Sequence, residues 1–258
     1  MKILVTESQY KRILKEETQE KKILKFPSLE FFDKDREVAW NIIQKILERK
    51  GNPPYSIDGD LYLYDTPIKS LGNLKSVGGE LNLRYTLIKS LGNLTSVGGY
   101  LVLRDTPIES LGNLTSVGGN LDLSFTPIES LGNLQSVGGF INLYNTQIES
   151  LGNLTSVGRS LDLRNTPIES LGNLQFVGGN LDLSHTKIES LDNLESVGGD
   201  LDLGGTPIRK LNDLKYVGGD IDLRSTPLGE FLKEQLPHEV EKEFRKYINV
   251  QGHVFYRS

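Results

Sequence analysis

Side chains that could bind another molecule recur along this chain at positions separated by multiples of 20 residues. Stacked aspartates could hold a basic segment of a partner or, as an alternative, a metal ion, because carboxylate oxygens attract cations. Aromatic rings beside arginine are the residue types that anchor protein interfaces. The candidate binding surface therefore consists of Tyr62, Tyr64, Arg84, Tyr100, Arg104, Phe140, Tyr144, Asp162, Asp182, Asp202 and Asp222.

The sequence offers no set of residues for catalysis. It contains no cysteine, which excludes a thiolate nucleophile, a disulfide and a thiolate metal site. The three histidines, His185, His238 and His253, are far apart, and none has the spacing of metal ligands. Motifs of zinc proteases, serine hydrolases and phosphate-binding loops are absent from the sequence. We therefore expect a protein that is not an enzyme and has no catalytic residue, cofactor or metal.

A 20-residue unit organises most of the chain, and its clearest copies read L-D-L-x-x-T-x-I-E-S-L-x-N-L-x-x-V-G-G-x. Because the copies follow one another without insertion or deletion, the pattern predicts a solenoid of nine stacked coils. Both leucines of the Leu-x-Leu pair point inward from a short strand, and nine such strands form a parallel sheet along one face. The pairs begin at Leu61, Leu81, Leu101, Leu121, Ile141, Leu161, Leu181, Leu201 and Ile221.

Three further positions of the unit carry structural expectations. A threonine comes three residues after the second leucine in every copy, from Thr66 to Thr226. We expect its hydroxyl to bond the backbone of the next coil. An asparagine recurs from Asn73 to Asn193, and we expect a buried ladder of amides inside the turns. The Gly-Gly pair, which recurs from Gly78-Gly79 onward with Arg159 as the one exception, predicts a sharp turn back into the strand.

The chain divides into three predicted domains: a helical N-terminal cap over 1–56, the solenoid over 57–228, and a helical C-terminal cap with a terminal strand over 229–258. Helical patterns cover 7–24 and 33–50, and the only tryptophan, Trp40, is predicted to pack against the first coil. Beyond the repeat, one helix is predicted from Pro227 to about Leu236, another from Pro237 to about Tyr247, and a strand over 250–256.

The solenoid is the acidic part of the chain. Residues 57–228 hold 12 basic and 20 acidic residues, which gives 12 − 20 = −8, whereas residues 1–56 hold 12 and 9, which gives +3. An acidic surface repels phosphate backbones, so no nucleic-acid partner is expected.

No apolar run is long enough for a bilayer span or a signal peptide. We expect a cytoplasmic protein with no membrane partner.

The unit V-G-G-x-L-x-L-x-x-T-x-I-x-x-L resembles a leucine-rich repeat over residues 57–228, with threonine at the asparagine position of that family. The Ile-x-Ser-Leu-Gly-Asn-Leu run is similar to internalin-type repeats shortened by two residues. The resemblance implies an α/β repeat solenoid with a parallel sheet on one face, and a three-sided parallel β-helix is the alternative fold. Residues 3–12 resemble the start of various proteins of tailed bacteriophages and marine bacteria.

Three functional hypotheses follow. The first is a non-enzymatic leucine-rich-repeat protein that binds a partner protein through its sheet face. The second is a structural or assembly component of a phage particle, with lattice contacts through residues 228–258. The third is a phage effector that captures a host defence protein or its ligand. We expect the protein to lie in the cytoplasm of a bacterial cell or of a phage-infected host. The sequence does not predict its oligomeric state.

Overall fold

The chain forms a parallel β-solenoid in a computed structural model that describes residues 23–26, 36–235, 246 and 248–256. Each 20-residue coil stacks on the preceding one with its strands in register, so that Leu121 pairs with Ile141 and Ile141 with Leu161. The unbroken phase of the sequence repeat is thus translated into stacked, equivalent coils. The predicted parallel-strand solenoid is confirmed.

Two parallel sheets run the length of the solenoid, whereas only one was predicted. The Leu-Asp sheet has ten strands: Leu61–Tyr62, Leu81–Asn82, Leu101–Val102, Leu121–Asp122, Ile141–Asn142, Leu161–Asp162, Leu181–Asp182, Leu201–Asp202, Ile221–Asp222 and Val254–Phe255. The Ser-Val sheet has eleven: Leu24–Phe26, Tyr55–Ile57, Leu74–Val77, Ser96–Val97, Ser116–Val117, Ser136–Val137, Ser156–Val157, Phe176–Val177, Ser196–Val197, Tyr216–Val217 and Asn249–Val250.

A third side of the coil lies between the end of one Leu-Asp strand and the next Ser-Val strand. Isolated parallel bridges join neighbouring coils there, between Ser90 and Ser110 and between Ser130 and Ser150. Backbone bonds such as Glu149 N–H to the Glu129 carbonyl (2.9 Å) continue the stacking. Each coil therefore has two sheet sides and one bridged side.

The core is a column of aliphatic side chains that every coil repeats. In the coil of residues 121–140 the buried positions are Leu121, Leu123, Ile128, Leu131, Leu134 and Val137, each exposed by 1% or less. Burying one such side chain contributes about 1.5–3 kcal/mol. The inward direction predicted for the leucines is confirmed, and the Ser-Val strand adds the valine to the same core.

The threonines are buried, but their hydroxyls bond within their own coil. The Thr126 Oγ1 donates to the carbonyl oxygen of Leu123 at 2.7 Å, and the same bond recurs from Thr66 to Thr226. The predicted bond to the next coil is therefore wrong. The hydroxyl closes the turn that ends the strand, because the donor lies only three residues after the acceptor.

The predicted burial of the asparagine ladder is also wrong. Asn93, Asn133 and Asn193 are exposed, and they join neighbouring coils from the outside. The Asn93 Nδ2 donates to the Asn73 Oδ1 at 3.2 Å, and the Asn193 Nδ2 donates to the Gly172 carbonyl at 2.7 Å.

The Gly-Gly pairs lie at a bend between a Ser-Val strand and the Leu-Asp strand that follows it, as at Gly118 and Gly119, so the predicted turn is confirmed. The bend does not use the left-handed region, which occurs instead at positions such as the glycine of Leu-Gly-Asn, as at Gly132 with φ 57°. A β-carbon on residue 118 would lie 2.1 Å from the Gly98 carbonyl oxygen, so glycine at this position also permits close contact between successive coils.

The helix predicted over 33–50 is present as α1, Arg36–Arg49. Ala39, Trp40, Ile43 and Leu47 form its buried side, and Trp40 belongs to the same apolar cluster as the coil leucines. The helix predicted over 7–24 lies almost wholly outside the described residues. Its last residue, Leu24, begins the strand Leu24–Phe26, which pairs with Tyr55–Ile57. The prediction of helix at Leu24 is therefore wrong.

At the other end, α2 spans Pro227–Gln235, as predicted. The segment predicted as a second helix, from Pro237 to about Tyr247, lies outside the described residues except for Lys246. The terminal strand is present in two pieces, Asn249–Val250 and Val254–Phe255, which add one last strand to each sheet. The domain boundaries at 56 and 228 stay predictions.

Candidate functional site

The outward positions of the Leu-Asp sheet form one continuous face, here called the outer face. Because the strand leucines point inward, the residues before, between and after them point outward in a leading, a middle and a trailing column. All eleven predicted binding residues lie in these columns. Each is at least partly exposed, and Tyr100 is the most exposed of the aromatic ones at 51%.

The centre of the outer face holds a cluster of stacked rings and guanidinium groups. The Phe125 and Tyr144 rings meet edge to face, with centroids 5.7 Å apart. The Arg104 guanidinium lies 5.1 Å from the Phe125 ring centre, and the Arg164 guanidinium lies 5.5 Å from that of Tyr144. Each side chain thus holds its neighbour in place across coils.

Phe125 was not among the predicted residues, and neither was Tyr85. Both lie in a fourth column, the turn column, which directly follows the trailing column and consists of Asp65, Tyr85, Asp105, Phe125, Asn145, Asn165, His185, Gly205 and Ser225. The Tyr85 hydroxyl accepts a hydrogen bond from the Arg84 Nη2 at 2.6 Å, and the Arg84 guanidinium stacks 4.4 Å from its ring centre. A signal was available, because two aromatic residues interrupt a column of small or polar ones.

Tyr62 and Tyr64 form a separate group at the N-terminal end of the face. The Tyr64 ring lies 3.8 Å below the Arg36 guanidinium of α1, and its hydroxyl accepts a hydrogen bond from the Arg36 Nη2. The Tyr62 hydroxyl donates to the Asp60 carboxylate at 3.1 Å. Four coil spacings, about 19 Å, separate Tyr64 from Tyr144. Tyr62 and Tyr64 therefore lie apart from the ring pair of Phe125 and Tyr144.

Every aspartate of the middle column accepts a backbone hydrogen bond within its own coil. Its Oδ1 accepts the backbone N–H of the residue two positions later, as in Asp182 from Ser184 (3.0 Å) and Asp202 from Gly204 (2.8 Å). Asn142 accepts the Tyr144 N–H in the same way at 3.1 Å. Since a neutral amide makes the same bond, and Val102 occupies this position without making it, the turn does not require a negative charge.

The leading column also supplies acceptors, but to the next coil. The Asp60 Oδ1 accepts the Glu80 N–H at 2.7 Å, and the Asp200 Oδ1 accepts the Asp220 N–H at 2.9 Å. Asn180 makes the same bond to the N–H of Asp200 at 3.0 Å. The Ser160 hydroxyl also accepts such a bond, from the Asn180 N–H at 3.1 Å, whereas Phe140 in the same column cannot, so this bond does not require a negative charge either.

The charges of the middle column are only partly compensated. Arg164 pairs with Asp162 at 2.5 Å and with Asp182 at 3.3 Å, and Arg224 pairs with Asp222. Burial acts to raise the pKa of Asp222, but the Arg224 hydrogen bonds outweigh it and the pKa is lowered.

Asp202 has no ion pair within 4 Å in the described part of the chain. Its partial burial, followed by the charges of Asp182 and Asp222, raises its pKa despite the Gly204 N–H bond. Burial is thus the main cause of the raised pKa of Asp202, and the neighbouring carboxylates add to it.

Within residues 23–26, 36–235, 246 and 248–256, no three His, Asp or Glu side chains converge as the ligands of a metal ion would. In the same part of the chain, neither helix combines the length and apolar character that crossing a bilayer requires.

Comparison with protein-family models, with curated protein sequences and with solved structures gives no match. The repeat solenoid therefore rests on the coil geometry alone, and its family is not shown.

Proposed function

We propose that this chain is a non-enzymatic recognition protein that binds a partner protein through the outer face. The observation that carries the proposal is the central cluster of Arg104, Phe125, Tyr144 and Arg164, exposed rings and guanidinium groups held rigid by mutual stacking. Preorganised aromatic and arginine side chains lose little freedom on binding, which is why such residues dominate interface energies.

The surplus charge of the middle column supports the same proposal. Asparagine closes the turn at Asn82 and Asn142, yet four consecutive coils carry Asp162, Asp182, Asp202 and Asp222. Stacked like charges oppose folding, so their retention favours a role in contact with a basic partner.

The assignment of the unit to the leucine-rich repeats belongs to this proposal. It is supported by the Leu-x-Leu strands and by the buried threonine at the position where that family has asparagine, since the Thr126 hydroxyl bonds the backbone. The Ser-Val sheet is the feature that the resemblance did not imply.

The test compares capture by the wild-type protein with capture by a variant in which Tyr62, Tyr100 and Tyr144 are all replaced by alanine. Partners are captured from an extract of the source cells, identified by mass spectrometry and then titrated in purified form. We expect the triple variant to lose binding while its circular dichroism and melting temperature stay those of a folded solenoid.

The matched control is Phe176→Ala combined with Tyr216→Ala, because both side chains lie on the Ser-Val sheet, away from the outer face. The control variant should bind as the wild type does. Equal affinity of the triple variant and the wild type would refute the outer face as the contact surface.

The exposed Phe231 and Phe255 favour a second candidate, an assembly component such as part of a phage particle. Both rings lie in the C-terminal segment and could contact another subunit. Light scattering at high concentration tests this: Phe231→Ser with Phe255→Ser should dissociate any oligomer, and a monomeric wild type would count against assembly.

A further inference from the structure

The turn column has the same unusual backbone conformation in all nine coils. Its residues have φ between 56° and 71°, including 58° at both Tyr85 and Phe125. Glycine, asparagine and aspartate tolerate this left-handed region, whereas a bulky aromatic residue there is a steric outlier. Two of the nine coils therefore carry a bulky aromatic residue where five others carry glycine, asparagine or aspartate.

Core packing does not compensate for this strain. Tyr85 is 47% exposed and Phe125 is 42% exposed, so neither ring contributes a fully buried side chain to the solenoid. Their contacts are with other surface groups, namely Arg84 for Tyr85, and Arg104 and Tyr144 for Phe125. Strained residues that persist on a surface are found at binding sites, where the strain is part of the preorganisation.

The net charge of the four columns, and not the arginines that stack on the two rings, selects the chemistry of the partner. The four columns contain eleven acidic and four basic residues, which gives 4 − 11 = −7. The acidic residues are Asp60, Asp65, Glu80, Asp105, Asp122, Asp162, Asp182, Asp200, Asp202, Asp220 and Asp222, and the basic ones are Arg84, Arg104, Arg164 and Arg224. A face with this balance attracts a basic segment and repels an acidic one.

The spacing also fits a polypeptide. Tyr85 and Phe125 are two coils apart, about 9.6 Å, with Asp105 between them. A lysine stem can cover an aromatic ring while its ammonium group reaches a neighbouring carboxylate. From the coil of Tyr85 to that of Asp222 the face extends about 34 Å, the length of roughly ten extended residues.

We propose that Tyr85 and Phe125 are the anchors of the outer face, and that they bind a lysine- or arginine-bearing extended segment lying along the solenoid axis. This inference rests on the proposed function and adds two residues and a partner chemistry to it. The aliphatic stems of the segment pack on the two rings, and its charged ends meet Asp65 and Asp105, the neighbours of Tyr85 in the turn column, and the carboxylates of the middle column.

The probe is a synthetic decapeptide of five Lys-Gly repeats, titrated by calorimetry against the full-length protein at low salt, with a Glu-Gly decapeptide as the charge control. We expect the basic peptide to bind and the acidic one not to. A variant with Tyr85→Asn and Phe125→Asn should weaken binding of the basic peptide about tenfold, the scale of two exposed ring contacts. Its melting temperature should stay the same or rise, because asparagine relieves the strain.

His185→Asn is the matched control, since it makes the same change in the same column away from both anchors. It should leave peptide affinity unchanged. Wild-type affinity in the double variant, or equal binding of the two peptides, would overturn the inference. A double variant that melts well below the wild type would show that the rings serve stability instead.

The two proposals can fail separately. If the basic peptide does not bind but the Tyr62, Tyr100 and Tyr144 variant loses its cellular partner, the proposed function stands and this inference falls. If that variant keeps its partner and the double variant loses the basic peptide, the anchors stand and the predicted tyrosine contact is wrong.

Discussion

The carbonyl oxygen of Gly98 lies 2.1 Å from the position that a β-carbon of residue 118 would occupy. The next coil repeats this relationship, with the Gly118 carbonyl oxygen 2.3 Å from a β-carbon on residue 138. No side chain fits at such a distance, so glycine at this position permits the close stacking of coils.

Gly118→Ala should therefore destabilise the protein strongly, by about 3 kcal/mol or more, because backbone of the preceding coil would have to move. Gly132→Ala is the matched comparison: residue 132 has φ 57° and nothing lies within 4 Å of an added β-carbon. Only the left-handed conformation opposes that change, at a cost of about 1 kcal/mol. Urea unfolding of both variants measures the difference, and equal losses would show that coil contact does not limit the stacking.

The solenoid and its inward leucines could be predicted because the period and the Leu-x-Leu spacing both depend on the core. Leu121 and Leu123 must be apolar in every copy, and that requirement is visible in the sequence. The Ser-Val sheet could not be predicted in the same way. In a strand such as Ser116–Val117 only the valine is buried, so no pair of apolar residues two positions apart marks the strand in the sequence.

The 20-residue period also does not show whether a recurring side chain is buried or exposed. Thr126 and Asn133 recur with the same regularity, yet Thr126 is buried and Asn133 is exposed. The binding face shows the same limit. The predicted columns do lie together on it, but Phe125 was missed because only the positions that flank the two leucines were expected to face outward, and the turn column comes after them.

Asp202→Asn should raise stability at neutral pH. The pKa of Asp202 is raised above its ordinary value of 3.8, so folding disfavours its ionised form, and stability is lost as pH rises through the folded-state pKa. Asparagine keeps an acceptor for the Gly204 N–H and removes the charge. We expect the melting temperature at pH 7 to rise by about 2 °C, with the gain disappearing below about pH 4.

Asp122→Asn is the control for Asp202→Asn. Asp122 makes the same turn bond, but its neighbours in the middle column are the uncharged Val102 and Asn142. Without adjacent carboxylates, the change should leave the melting temperature at pH 7 close to that of the wild type. If both variants gain equally, general charge reduction and not the stacked row is the cause.

Asp192→Asn should have the opposite effect. The Asp192 carboxylate accepts bonds from the Ser170 and Ser190 hydroxyls and from the Leu171 and Gly172 N–H groups. Burial acts to raise its pKa, but these hydrogen bonds outweigh burial and the pKa is lowered. The stabilisation is therefore present above the unfolded-state pKa and is lost as pH falls through the folded-state value.

The Asp192 variant should melt below the wild type at pH 7, and the two melting curves should converge as the pH approaches 2. Asparagine tolerates the φ of 49° at this position, so backbone strain does not confuse the comparison. Asp213→Asn, an exposed change one coil further on, should have little effect. If the melting temperature of the Asp192 variant lies below that of the wild type by the same amount at every pH, the charge of the carboxylate does not contribute to stability.

Thr126→Val tests the hydroxyl that closes each strand turn. The side chain is 3% exposed and donates to the Leu123 carbonyl at 2.7 Å, so valine fills the same space and removes the donor. A buried carbonyl that loses its partner costs about 1–3 kcal/mol. At the exposed Thr155, whose hydroxyl bonds the Gln135 carbonyl at 3.2 Å, water can replace the lost donor and the same change should cost about 0.5 kcal/mol or less. Equal losses of unfolding free energy at residues 126 and 155 would show that the turn does not depend on its buried hydroxyl.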